Sequence, residues 1–228
     1  AFTDSALAAP GTYQYTVKAV DVAGNVSNAS PNRSVIYDPT PPPAPTNLNA
    51  PSPSNQPTLT WNVVTDASGI ARYDVLRDGV VIGATGNLSY TDGTLTVDAT
   101  YVYTVRAVDA AGNAGPESLP KTVVYDSTPP PAPINFSALT PSLSKPLLTW
   151  TSGGVDAGSG FKQYIVYRNG TALTPVTAAT LNDTTVSANG AFVYTVRAVD
   201  NAGNLSAVAG PLTVVWDNTP PPQPSGLT

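Results

Sequence analysis

The sequence predicts an all-β chain of tandem seven-stranded β-sandwiches joined by Pro-rich linkers, and three observations carry that prediction. The string Ala-Val-Asp-x-Ala-Gly-Asn occurs at Ala19 to Asn25, Ala107 to Asn113 and Ala198 to Asn204, with spacings of 88 and 91 residues. A Thr followed by three prolines begins at Thr40, Thr128 and Thr219 and repeats with the same 88 and 91. Of the 15 acidic residues, all are Asp except Glu117, a bias toward turns and caps and away from helix surfaces.

Two independent markers with one period define the organisation. Residues 1–39 read as the C-terminal part of one domain, 40–128 and 129–219 as complete domains, and 220–228 as a linker with the start of a further repeat. This framing predicts an excerpt from a longer repetitive polypeptide.

Within the first complete repeat the expected strands are Pro45–Asn49, Thr58–Val63, Ala71–Arg77, Val80–Ala84, Leu88–Asp92, Tyr101–Asp109 and Thr122–Tyr125. Short β-rich runs bounded by Gly, Pro, Asn and Asp read as strands, and seven of them in one repeat fit two packed sheets. Asp78-Gly79 and Asn169-Gly170 each separate two such runs and have the composition of a type I′ hairpin turn. In the longest run Tyr101, Tyr103, Val105 and Ala107 share one face, and their bulk marks it as the inward one. Arg106, with Lys18 and Arg197 at equivalent positions, falls on the outward face.

Each repeat resembles a fibronectin type III domain of the kind found in tandem in bacterial extracellular proteins. The residues that carry the resemblance are a Trp in the second strand (Trp61, Trp150), a Tyr in the third (Tyr73, Tyr164), and a Leu six residues before a Tyr (Leu7 and Tyr13, Leu95 and Tyr101). In that family the hydroxyl of the latter Tyr caps the corner into the sixth strand. Val186 and Phe192 occupy those positions in the last repeat, where the hydroxyl bond is lost at a cost of about 1 kcal/mol. The resemblance implies a fold and leaves function open, because this sandwich hosts many roles.

Composition removes several function classes. With no His and no Cys there is no Ser-His-Asp or Cys-His pair and no zinc or haem ligand set of the usual kinds. A net charge of −5 opposes binding to nucleic acid, and no apolar run is long enough for membrane insertion in this segment. Catalysis would have to rest on two carboxylates converging in a cleft, whereas the Asp residues recur with the repeat and lie in turns. The expectation is a chain that is not an enzyme and requires no cofactor.

Calcium is the one ion the Asp pattern could hold, since it takes carboxylate and carbonyl oxygens. The candidate ligands are Asp21, Asp109 and Asp200 of the recurring loop and the linker acids Asp38, Asp126 and Asp217, with Asp66 and Asp156 in earlier loops. The alternative for the same loop is turn stabilisation, with Gly and Asn in left-handed backbone conformations and Asp bonded to its own turn amides. The linkers, such as Tyr37 to Pro45, are Pro-dense and predict extended, semi-rigid spacers. Eight Asn-x-Ser/Thr sequons, at Asn25, Asn28, Asn32, Asn87, Asn135, Asn169, Asn182 and Asn204, permit glycosylation. Aromatic platforms for a glycan ligand are scarce, since Trp61, Trp150 and Trp216 occupy structural positions and Tyr167 is the most plausible exposed ring.

The sequence thus predicts a structural, non-catalytic segment of a long protein at the cell surface or outside the cell, a stiff stalk or the subunit of a filament. Its partners would be the neighbouring repeats and, in a filament, further copies. The alternatives are spacer or carbohydrate-binding accessory domains of a secreted polysaccharide-degrading enzyme, and adhesin repeats. Flanking sequence discriminates them.

Overall fold

The computed structural model describes residues 1–225, and among them every regular element is a β-strand. By compactness they divide into two units: Ala1–Pro51 with Gln56–Thr94 and Thr100–Val123, and Ser52–Asn55 with Leu95–Ala99 and the chain from Val124 onward. The first contains an N-terminal hairpin and the core of the first complete repeat, and the second contains the core of the next.

The hairpin pairs β1 (Gly11–Tyr15) with β2 (Arg33–Tyr37), antiparallel, from Gly11 opposite Tyr37 to Tyr15 opposite Arg33. At its start the Tyr13 hydroxyl donates to the Ala9 carbonyl at 2.8 Å, the corner bond that the resemblance to fibronectin type III domains implied.

The first complete repeat contains β3 (Thr58–Thr60), β4 (Ile70–Arg77), β5 (Val80–Thr85), β6 (Ser89–Thr91), β7 (Ala99–Asp109) and β8 (Lys121–Tyr125). One sheet pairs β3 with β6, and the other runs β5-β4-β7-β8. The expected strand at Pro45–Asn49 is reduced to a bridge between Asn49 and Thr60. Pro45 brings no donor and Asn47 turns left-handed at φ 55°, but Pro133 and Asn135 at φ 54° share these features in the next repeat, so the difference arises in the residues that follow them. Thr58–Val63 also ends early, leaving Trp61 just past β3 with its amide donating to the Leu88 carbonyl at 3.2 Å.

The second complete repeat contains β9 (Ile134–Ala138), β10 (Leu147–Thr151), β11 (Phe161–Arg168), β12 (Thr171–Ala172), β13 (Thr180–Asn182), β14 (Gly190–Asp200) and β15 (Ala209–Trp216). Its sheets run β13-β10-β9 and β12-β11-β14-β15. Here the first strand does pair, through an irregular register against β10. Phe136 and Ser137 stand where the preceding repeat has Leu48 and Asn49. The aromatic side chain suits a half-buried strand and meets Trp150 edge-on at 6.1 Å.

Both hairpin turns have the backbone their sequences predict. Asp78 and Gly79 sit at φ 50° and 79°, Asn169 and Gly170 at 49° and 82°, the two positive angles that type I′ requires. On β7, Tyr103, Val105 and Ala107 are fully buried and Tyr101 is partly buried. They meet Leu59, Trp61, Tyr73, Val75 and Val123 in one core. Leu148, Trp150, Tyr164, Val166, Tyr194, Val196, Ala198 and Val214 form the matching core of the second repeat. Each of the Val and Leu side chains contributes about 1.5–3 kcal/mol when removed from water.

The linkers lie against the sandwiches that follow them. Pro42 and Pro45 are buried, and a Cβ added to Gly115 would overlap the Pro42 carbonyl oxygen. In the second repeat a Cβ on Gly153 would overlap the Ala132 carbonyl oxygen in the same way. Since that obstacle is backbone, Gly153→Ala is expected to displace the linker and cost about 1–3 kcal/mol, read as a lower midpoint in chemical denaturation.

Candidate metal centre

The recurring loop follows directly from the long strand. In the first repeat Asp109 ends β7, the chain turns at Gly112 with φ 97°, and Asn113 closes the turn. Asp109 accepts from the Asn113 amide at 2.7 Å through one oxygen and from the Asn113 side chain at 2.8 Å through the other. The expectation that Asp bonds its own turn amides therefore holds. The expectation that Asn supplies a second left-handed residue does not, because only Gly24, Gly112 and Gly203 have positive φ in the three loops.

Asn113 instead uses its side chain, whose Nδ2 also donates to the Asp38 carbonyl at 2.7 Å. In the second repeat Asn204 makes the same pair of contacts, to Asp200 at 2.7 Å and to the Asp126 carbonyl at 2.9 Å. The loop Asn thus ties the linker acid's backbone beside the loop acid. The signal for this role was present in the sequence, since Asn closes all three copies of the motif, but its target lies far away along the chain.

The result is two groups of three carboxylates. Asp38, Asp66 and Asp109 each present one oxygen, and the three lie within 4.8 Å of one another. Asp126, Asp156 and Asp200 do the same in the second repeat. Five of the six are buried and Asp66 is partly so. Donors hold each carboxylate in place: the Thr40 amide and hydroxyl on Asp38 at 3.0 and 2.6 Å, the Ser68 amide and hydroxyl on Asp66 at 3.0 Å each, and the Thr128 and Ser159 amides on Asp126 at 3.0 and 2.6 Å. Gly158 leaves room for this, because a Cβ there would lie 2.5 Å from the Asp126 carboxylate.

The Thr40 hydroxyl and amide hold the Asp38 carboxyl below the ordinary carboxylate range. Burial pushes Asp109 up, but the two Asn113 donors outweigh it and leave this group lowered as well. Such groups stay ionised at neutral pH. None of the four ion pairs among the described residues involves these six acids; those pairs use Asp74, Asp92 and Asp183.

Two sequence candidates fall outside the clusters. Asp21 is exposed, and both its oxygens accept from Asn25 at 2.8 Å. Asp217 is exposed and accepts from Asn189 at 2.6 Å and the Thr219 amide at 2.9 Å. Trp61, Trp150 and Trp216 are buried and Tyr167 is half-buried, so no Trp presents a ring face to solvent. Of the sequons, Asn204 is buried with both side-chain N–H groups engaged, which removes it as a glycan acceptor.

Sequence reasoning missed a second device, centred on Asp92. Its carboxylate is 1% exposed and accepts from Arg77 at 2.5 Å, the Tyr103 hydroxyl at 2.8 Å, and the Thr94 amide and hydroxyl at 2.9 and 2.7 Å. Arg168, Asp183, Tyr194 and Thr185 repeat the arrangement. Its signal was the shared spacing of 91 residues between the members of each pair of Arg, Asp and Tyr.

No family model matches the chain. Among solved structures, the chicken CNTN1 FN1–FN3 domains align at a TM-score of 0.57 with 17% identity, covering 89% of this chain and 77% of that one. The Clostridium thermocellum CbhA fibronectin(III)-like modules align at 0.50 with 12% identity, covering 75% of this chain and 92% of that one. The complete repeats are fibronectin type III-like sandwiches. Among curated relatives of these fibronectin-like repeats, Exoglucanase B of Cellulomonas fimi is 40% identical over 99% of the chain. Endoglucanase B of the same organism is 37% identical over 90%, and Chitinase A1 of Niallia circulans 33% identical over 71%. The chain spans only 22%, 21% and 24% of those three proteins, respectively.

Proposed function

We propose that these fibronectin-like repeats are a non-catalytic accessory segment of a secreted enzyme that degrades an insoluble polysaccharide of the glucan or chitin kind. The observation that carries the reading is the match of nearly the whole chain to about a fifth of Exoglucanase B. Relatives named for glucan and chitin hydrolysis favour the accessory-domain alternative over the surface stalk or filament that repetition alone suggests, and nothing in their names supports adhesion. The carboxylates also suit this role. They are fastened into turns by their own donors, paired with Arg or clustered in threes, and a glycosidase instead needs a pair spaced across a substrate cleft. The work of the segment is to separate and orient its flanking domains outside the cell, with linkers seated on the sandwiches that follow them.

Deleting residues 1–225 from the parent enzyme tests this. Hydrolysis of a soluble oligosaccharide is expected to be unchanged, hydrolysis of crystalline cellulose or chitin to fall several-fold, and the isolated chain to hydrolyse neither. Turnover by the isolated chain, or a parent reading frame without any hydrolase domain, would overturn the proposal.

A further inference from the structure

We propose that Asp38, Asp66 and Asp109 in the first complete repeat, and Asp126, Asp156 and Asp200 in the second, are two equivalent calcium sites that clamp each linker to loops of the sandwich following it. The inference is independent of the enzyme reading. It rests on three features.

The first is spacing. Calcium binds oxygen at 2.3–2.6 Å, so ligands on opposite sides of one ion stand roughly 4.6–5.2 Å apart. Three carboxylate oxygens mutually within 4.8 Å can all reach a single such ion. The all-oxygen, triply anionic donor set is that of a hard divalent cation, and water can complete the coordination shell.

The second is an unmet need in each cluster. Asp38 is 5% exposed and Asp156 8% exposed, and the Oδ2 of each is buried without a hydrogen-bond partner. The other oxygen of Asp38 is taken by Thr40 and that of Asp156 by the Gly158 amide. Both acids belong to the clusters, each placing a carboxylate oxygen within 4.8 Å of oxygens of the other two members. Buried carboxylate oxygens are satisfied by donors or by metal, and these have no donor.

The third is charge. Three carboxylates converge in each group, and no Lys or Arg pairs with any of them among the described residues. Like charges at this separation repel unless a cation sits between them. The arrangement recurs in a second repeat built from different flanking residues, with Ser68 beside Asp66 in one and Gly158 beside Asp156 in the other.

The test is calorimetric titration of the EDTA-treated, dialysed chain with calcium chloride, with thermal melting in parallel. Two equivalents per chain and a raised melting temperature are expected, with a weaker response to magnesium, which demands shorter bonds and tighter geometry. Asp66→Asn and Asp156→Asn keep the local donor contacts and should each remove one equivalent, and the double variant both. Gly158→Ala, which crowds Asp126 without altering any ligand, should remove the second site alone while the first persists, an effect that general loss of folding would not give. Absence of heat with an unmoved melt at millimolar calcium, two equivalents surviving in the double variant, or an equal response to magnesium would overturn the assignment.

Discussion

Replacing Asp92 by Ala lowers the stability of the chain by about 3–5 kcal/mol, because it strands a guanidinium and a buried hydroxyl that have no other strong acceptor. Arg77 loses its ion pair and Tyr103, fully buried, loses the acceptor at 2.8 Å. Tyr103→Phe costs less, about 1–2 kcal/mol, since the carboxylate keeps Arg77 and Thr94. Chemical denaturation of the three proteins side by side measures the ordering, and equal stability of Asp92→Ala and the parent would refute it.

The same carboxylate gives stability a pH dependence. Burial pushes Asp92 up, but Thr94, Tyr103 and Arg77 together pull it below the ordinary range, and Asp183 shifts in the same direction. Burial and the adjacent carboxylate raise Tyr103 and Tyr194, so both remain protonated donors throughout the accessible range. A depressed carboxylate contributes stability above its unfolded pKa of about 4, and that contribution disappears as pH falls through the folded value. Denaturation midpoints should therefore drop below about pH 4, and Asp92→Asn should flatten part of that decline.

Trp150→Ala is the second large effect, about 3–5 kcal/mol. The ring is 4% exposed, meets Tyr164 edge-on at 5.2 Å and Phe136 at 6.1 Å, and joins the two sheets of its repeat. Trp150→Phe should cost only about 1–2 kcal/mol, because it retains an aromatic body and removes a buried indole N–H that has no partner. Urea titrations of the two variants check the contrast, and equal losses would mean that packing volume counts for little at this position.

The strands were legible wherever local rules act without competition. Alternation on β7, the Asp78-Gly79 and Asn169-Gly170 turns and the aromatic core positions all follow from side-chain period and backbone preference. Val108 shows where that reading stops. It lies on the outward side of the alternation but is 2% exposed, next to the end of β7 where the returning chain bridges to it at Ala114. The strand expected at Pro45–Asn49 shrinks to a bridge while its counterpart Ile134–Ala138 pairs, a contrast that follows Leu48-Asn49 and Phe136-Ser137 and not the spacing the two repeats share.

Sequence and relatives carried different parts of the functional reading. Repetition, with no His or Cys, pointed to a spacer of some kind, and only the likeness to exoglucanase and chitinase favoured an enzyme appendage over a stalk. Asp109 and Asp200 stood out because their motif repeats, and Asp38 and Asp126 because their linkers do. Asp21 and Asp217 carry the same motifs and lie in neither cluster.

By itself the sequence determined the all-β class, the repeat period, the hairpin turns and the inward face of the longest strand. Each depends on interactions between residues close in the chain, so composition and spacing reveal them. Only the tertiary structure decided which acids meet. Asp38, Asp66 and Asp109 come from a linker, an early loop and a late loop, and Arg77, Asp92 and Tyr103 from three different places in the sandwich. Sheet pairing and the folding of the linker onto its domain bring these groups together. Whether a carboxylate becomes a turn cap, an ion-pair partner or one of three converging ligands depends on the distances that packing creates.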